Sequence, residues 1–124
     1  MWQILMVTEA MDHFKDAVAP ARAEGRCGVR WAGGFQAALD ALGQRRPDLV
    51  VIDAEVGGRQ GLALCRELMQ TDAFVNLALV SDLDDDAFHE ASEGLGLVGR
   101  LPRHPTPADV DGLLKRLAAI YPPL

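Results

Sequence analysis

The chain has only two cysteines, Cys27 and Cys65, in 124 residues. That is too few for a disulfide framework, so a packed core must supply the stability. The expected state of both is a buried or semi-buried thiol in a reducing compartment. No apolar run reaches the roughly 18 residues of a membrane-spanning helix. The N-terminus lacks the basic region, apolar stretch and cleavage site of a secretory leader. A cytoplasmic protein without membrane contact is therefore expected. Positive charge is scarce too: 12 Lys and Arg against 18 Asp and Glu leave a net charge of -6. Arg45-Arg46 and the Arg100/Arg103 pair do not make a basic stripe, so direct nucleic-acid binding by this domain is not expected.

What the chain does carry is alternation. Its length suits one domain, residues 1–124, with one hydrophobic core. Ile4-Leu5-Met6-Val7, Leu49-Val50-Val51-Ile52 and Leu77-Ala78-Leu79-Val80 are continuous apolar runs, the pattern of strands covered on both faces. Cys27 to Trp31 alternates, as an edge strand does, and Leu97 to Leu101 is a weaker fifth strand. Between them, Phe14, Ala17, Val18 and Ala21 share a helical face, as do Phe35, Ala38, Leu39 and Leu42. Gly61 to Gln70 and Asp84 to Glu93 supply two more helices. Val110, Leu113, Leu114 and Leu117 mark the last, with Thr106 as cap, Pro107 at its first position and Asp109 completing a capping box. Five strands alternating with five helices predict an α/β fold: a flavodoxin-like (βα)5 doubly wound, five-stranded parallel sheet in order 2-1-3-4-5. Ligand chemistry in such sheets sits at the carboxyl ends of the strands. Those ends are Thr8-Glu9, Asp53, Ser81 and Pro102-Arg103.

Asp53 closes an apolar run and is followed by Ala54-Glu55-Val56-Gly57-Gly58-Arg59-Gln60-Gly61-Leu62. This stretch resembles the phosphoacceptor strand and loop of response-regulator receiver domains, the chemotaxis regulators among them, and the resemblance spans essentially the whole chain. Gly58 and Gly61 match that pattern; Gly57 stands where Pro is usual. The resemblance implies a two-component signal-transduction module, with Asp53 as phosphoacceptor and a histidine kinase or phosphotransfer protein as donor. An effector domain or a homodimer would carry the output. Carboxylate attack on a phosphoryl group brings negative charge onto negative charge, which Mg²⁺ relieves. By position the implied Mg²⁺ ligands are Glu9, Asp53 and the backbone carbonyl of Glu55. Ser81 and Arg103 fall where the family has the Ser/Thr and Lys that hold the phosphoryl oxygens. A shift of one residue puts His104 at the Lys position instead.

Three departures make this an atypical member of the pattern. Thr8 replaces the first acid, so Mg²⁺ binding is expected to weaken. Arg103 is a planar fork where a compact ammonium is usual; paired with Asp53, it would hold the site as a phosphorylation-independent pseudo-receiver that works as a protein-interaction module. Arg100 stands where many members place the aromatic that couples the site to output. Two other classes compete with these. An Asp-nucleophile phosphatase is favoured by Glu55, spaced two residues on as a general acid. A flavin carrier of the same fold needs a Ser/Thr/Gly-rich phosphate loop, which Thr8-Glu9-Ala10-Met11-Asp12 is not. Asp82, Asp84, Asp85 and Asp86 lack the alternation of a calcium loop and read as a helix cap. His13 has no Cys or His at ligand spacing and reads as solvated. Tyr121-Pro122-Pro123-Leu124 reads as a terminus or the start of a linker.

Overall fold

The computed structural model describes residues 1–120; the Tyr121–Leu124 segment lies outside them. Strand β1 (Trp2–Val7) is followed by α1 (Asp12–Ala23), β2 (Cys27–Ala32), α2 (Phe35–Gln44) and β3 (Leu49–Ile52). Two short strands come next, β4 (Glu55–Val56) and β5 (Arg59–Gln60), then α3 (Gly61–Thr71) and β6 (Leu77–Val80). Helix α4 (Asp85–Ala91), β7 (Gly99–Leu101) and α5 (Pro107–Ile120) complete the described residues. The main sheet runs β2-β1-β3-β6-β7 with every neighbour parallel. Numbered among themselves, its five strands stand in the expected order 2-1-3-4-5. The β4–β5 hairpin is a second, two-stranded sheet that the periodicity did not announce.

Alternation along each central strand divides the core into two layers. Ile4, Met6, Val51, Ala78 and Val80 face α1 and α5, where Phe14, Ala17, Val18, Leu113 and Leu117 pack on them. Leu5, Val7, Val50, Ile52, Leu77 and Leu79 face the other way, against Ala38, Leu64, Cys65, Leu68 and Phe88. Every residue of β3 and β6 is buried, which is why these runs show no period of two. Edge strand β2 buries only Cys27 and Ala32 fully.

Boundaries differ from the expected ones by a few residues at two places. Strand β7 begins at Gly99, where pairing with Ala78 starts. Gly99 fits beneath α5 closely: a Cβ there would lie 3.1 Å from Leu113 Cδ1. Helix α4 ends at Ala91, and the buried Ser92 hydroxyl donates to the Phe88 carbonyl (2.7 Å). At the start of α5 the expected box is formed: Asp109 N–H donates to Thr106 Oγ1 (3.3 Å) and Asp109 Oδ2 accepts from Thr106 N–H (2.9 Å). No helix among the described residues is long and apolar enough to cross a membrane.

Candidate functional site at the carboxyl ends of the strands

The parallel ladder places Thr8 and Asp53 side by side. Thr8 N–H donates to the Ala32 carbonyl (2.9 Å), and Asp53 N–H to the Val7 carbonyl (2.9 Å), so both backbones are fixed by the sheet. Thr8 is buried, and its hydroxyl donates to Asp53 Oδ2 at 2.6 Å. The same Oγ1 accepts from Ala10 N–H (2.9 Å). The other carboxylate oxygen of Asp53, Oδ1, accepts from Ala54 N–H (2.7 Å). Both oxygens of Asp53 are thus held by donors of the chain itself.

Glu9 does not share this cluster. Its Oε1 accepts from the backbone N–H of Gly57 (2.6 Å), tying the β1–α1 loop to the β4–β5 hairpin. That hairpin turns on Gly57 and Gly58, with φ of 59° and 76°. Positive φ at both central residues is the mark of a type I′ turn and explains the glycine pair. Proline, with φ near −65° and no N–H, fits neither the turn nor the bond to Glu9. Gly61, the last glycine of the motif, is required by packing. Its N–H donates to the Ala54 carbonyl (2.8 Å), and a Cβ there would sit 2.0 Å from the Asp53 carbonyl oxygen. Glu55 opens β4 with its side chain exposed.

The remaining rim residues turn to other partners. Ser81 is buried, and its Oγ accepts from Leu83 N–H (3.2 Å). Arg103 pairs through Nε with Asp82 Oδ2 (2.8 Å), and its backbone N–H also reaches Asp82 Oδ1 (3.3 Å). Arg103 thus pairs with Asp82, which follows Ser81 at the next strand end, and the ion pair with Asp53 that would have locked a pseudo-receiver is not formed. Ser81, Asp82, Arg103, Ala54 and Glu55 line one cavity of about 490 Å³, to which Asp53 itself does not contribute. Of the acidic run, Asp84 caps α4 by accepting from Ala87 N–H (2.8 Å), and Asp85 and Asp86 fill its first turn. His13 is exposed, as expected of a solvated side chain, and its ring lies 4.4 Å, centroid to centroid, from that of His104. Their distance along the chain hid that pair from any reading of local spacing.

A magnesium ion takes near-octahedral oxygen ligation and usually rests on one or two free carboxylates. Here Asp53 has both oxygens hydrogen-bonded, Glu9 points to Gly57, and the first acidic position is a hydroxyl that donates. Among the described residues no three His, Cys, Asp or Glu side chains are grouped to hold a metal. As arranged, this donor set does not fit the ion.

No family model matches the sequence, and no curated protein is similar to it in sequence. Solved structures do match. The receiver domain of NtrX from Brucella abortus superposes with a TM-score of 0.78 at 21% identity, covering 94% of this chain and 98% of that one. The chemotaxis response regulator CheY4 of Vibrio cholerae gives 0.77 at 15% identity, over 94% and 98%. The non-phosphorylated HemR receiver domain from Leptospira biflexa gives 0.78 at 16% identity, over 100% and 99%. The fold is that of response-regulator receiver domains, from one end of the described chain to the other.

Proposed function

We propose that this chain is a cytoplasmic two-component signalling module whose receiver fold binds protein partners while Asp53 stays unphosphorylated. One observation carries the reading: the Thr8 hydroxyl donates to Asp53 Oδ2 at 2.6 Å while Ala54 N–H holds Oδ1. A nucleophilic carboxylate needs a lone pair aimed at the phosphorus and positive charge to offset the approach of an anion. The hydroxyl blunts the first, and the strand-end cation Arg103 is committed to Asp82. The role is one of binding rather than turnover. Its partners are of the class that receiver folds serve: a histidine kinase, a phosphotransfer protein, an effector domain or a second copy.

Incubation with acetyl phosphate and Mg²⁺ followed by intact-mass analysis tests this. The expected spectrum is unchanged. A gain of one phosphoryl group that disappears in Asp53→Asn would make Asp53 a phosphoacceptor, with Ser81 and Arg103 as its oxygen ligands. Sustained phosphate release that depends on Asp53 and Glu55 would establish the phosphatase.

A further inference from the structure

We infer that Thr8 and the Glu9–Gly57 contact have taken over the place of a divalent cation, so that the wild-type pocket is indifferent to Mg²⁺ and Thr8 is the residue that keeps it so. The hydrogen bonds close a consistent polarity. The Thr8 hydroxyl donates its one hydrogen bond to Asp53 and accepts one from Ala10 N–H; Asp53 accepts a second from Ala54 N–H. A buried hydroxyl with both roles filled has nothing to gain from a metal. An ion seated on Asp53 would have to displace the hydroxyl from Oδ2 and leave its proton without an acceptor inside a buried site. It would also have to draw Glu9 away from Gly57 N–H. That second bond needs a backbone N–H that proline lacks, so the departures at Thr8 and Gly57 act on the same pocket. One carboxylate that already accepts two hydrogen bonds, with a hydroxyl in place of a second acid beside it, makes a weak site for a dication.

Replacement of Thr8 by Asp reverses the situation. It removes the donor and sets a second carboxylate against Asp53 across the 2.6 Å contact. Two such groups repel unless a cation lies between them. The Thr8→Asp variant is therefore strained without a cation and relieved by one, whereas the wild type has no such dependence. The inference rests on the reading of Asp53 as held, yet the two fail separately. A phosphoryl adduct overturns the function reading, and Mg²⁺ binding by the wild type overturns this one.

The test is Mg²⁺ titration of ¹⁵N-labelled wild type and Thr8→Asp, followed at the amides of Ala10, Ala54 and Gly57, with thermal denaturation in EDTA and in MgCl₂. Wild-type amides are expected to stay in place and its Tm to be the same in both buffers. Thr8→Asp is expected to show saturable shifts, a Tm that rises with Mg²⁺, and affinity on the order of tenfold or more above wild type. Both responses should vanish when Asp53→Asn is added. Saturable movement of the wild-type amides would overturn the inference, as would a folded Thr8→Asp protein that ignores Mg²⁺. Should Thr8→Asp fail to fold in EDTA, rescue by MgCl₂ supports it and failure in both buffers leaves the wild-type titration to decide.

Discussion

The guanidinium of Arg100 lies 5.6 Å from the centroid of the Phe88 ring, while its nitrogens donate to the Leu83 carbonyl and to Asp85. One side chain on β7 thus pins the start and the buried face of α4. Arg100→Gln is expected to lower stability by about 0.5–1 kcal/mol through the lost cation–π contact. A double-mutant cycle with Phe88→Leu in urea checks the coupling. The Arg100 hydrogen bond also holds the Asp85 carboxyl below the ordinary carboxylate range. A depressed folded-state pKa stabilises above the unfolded value of about 3.9 and ceases to as pH falls through the folded one. The stability gap between wild type and Asp85→Asn should therefore close at acid pH. A gap that persists there would mean the pair contributes nothing.

The layers of this fold were legible because burial leaves a mark on composition. β3 and β6 are covered on both sides and read as unbroken apolar runs, and the α5 stripe comes with its own capping box. The β4–β5 hairpin was less so, since two-residue strands are too short for any period to register. Its signal was local, the Gly57-Gly58 pair that a type I′ turn requires. At the site, position told which residues stand on the rim but not where their side chains point. Arg103 was placed at the strand end beside Asp53, and the structure pairs it with Asp82. Thr8 was visible as a missing acid; that its hydroxyl would grip Asp53 depends on the register of β1 and β3, which no local pattern states.

Both thiols should be silent in the native protein. Cys27 and Cys65 are free and buried, and burial pushes the Cys65 thiol up to about 12. A disulfide reagent at mildly alkaline pH is expected to find no reactive thiol in the folded chain and two in denaturant. Because the folded-state pKa of Cys65 is raised, stability is complete below the unfolded value of about 8.5 and declines as pH rises through the folded one. Cys65→Ala should flatten that alkaline decline.

Gly61 and Gly57 should fail differently. Gly61→Ala drives a methyl into the Asp53 carbonyl and Leu79, and is expected to cost about 1–3 kcal/mol by overpacking. Gly57→Ala meets no atom but must hold φ near 59°, a cost of about 1–2 kcal/mol. Gly57→Pro is expected to be worse than Gly57→Ala, because it also removes the N–H that Glu9 accepts. In the proline background Glu9→Gln should then cost nothing further. Urea unfolding of these variants decides this, and an additive Glu9→Gln effect would show that the strap carries no energy.

Thr8 offers the sharpest separation of packing from hydrogen bonding. Thr8→Val keeps the volume of a buried side chain and deletes only the hydroxyl, stranding Asp53 Oδ2 and the Ala10 N–H together. Leaving such groups unpaired is expected to destabilise by about 1–3 kcal/mol. Thr8→Ser keeps the hydroxyl, loses one methyl and should cost less. If the loss in Thr8→Val comes from the bond to the carboxylate, it must shrink in the Asp53→Asn background, since residues in contact couple and distant ones add. Equal Thr8→Val penalties in the wild-type and Asp53→Asn backgrounds, measured by urea denaturation, would reduce Thr8 to a core filler and remove the basis for treating Asp53 as held.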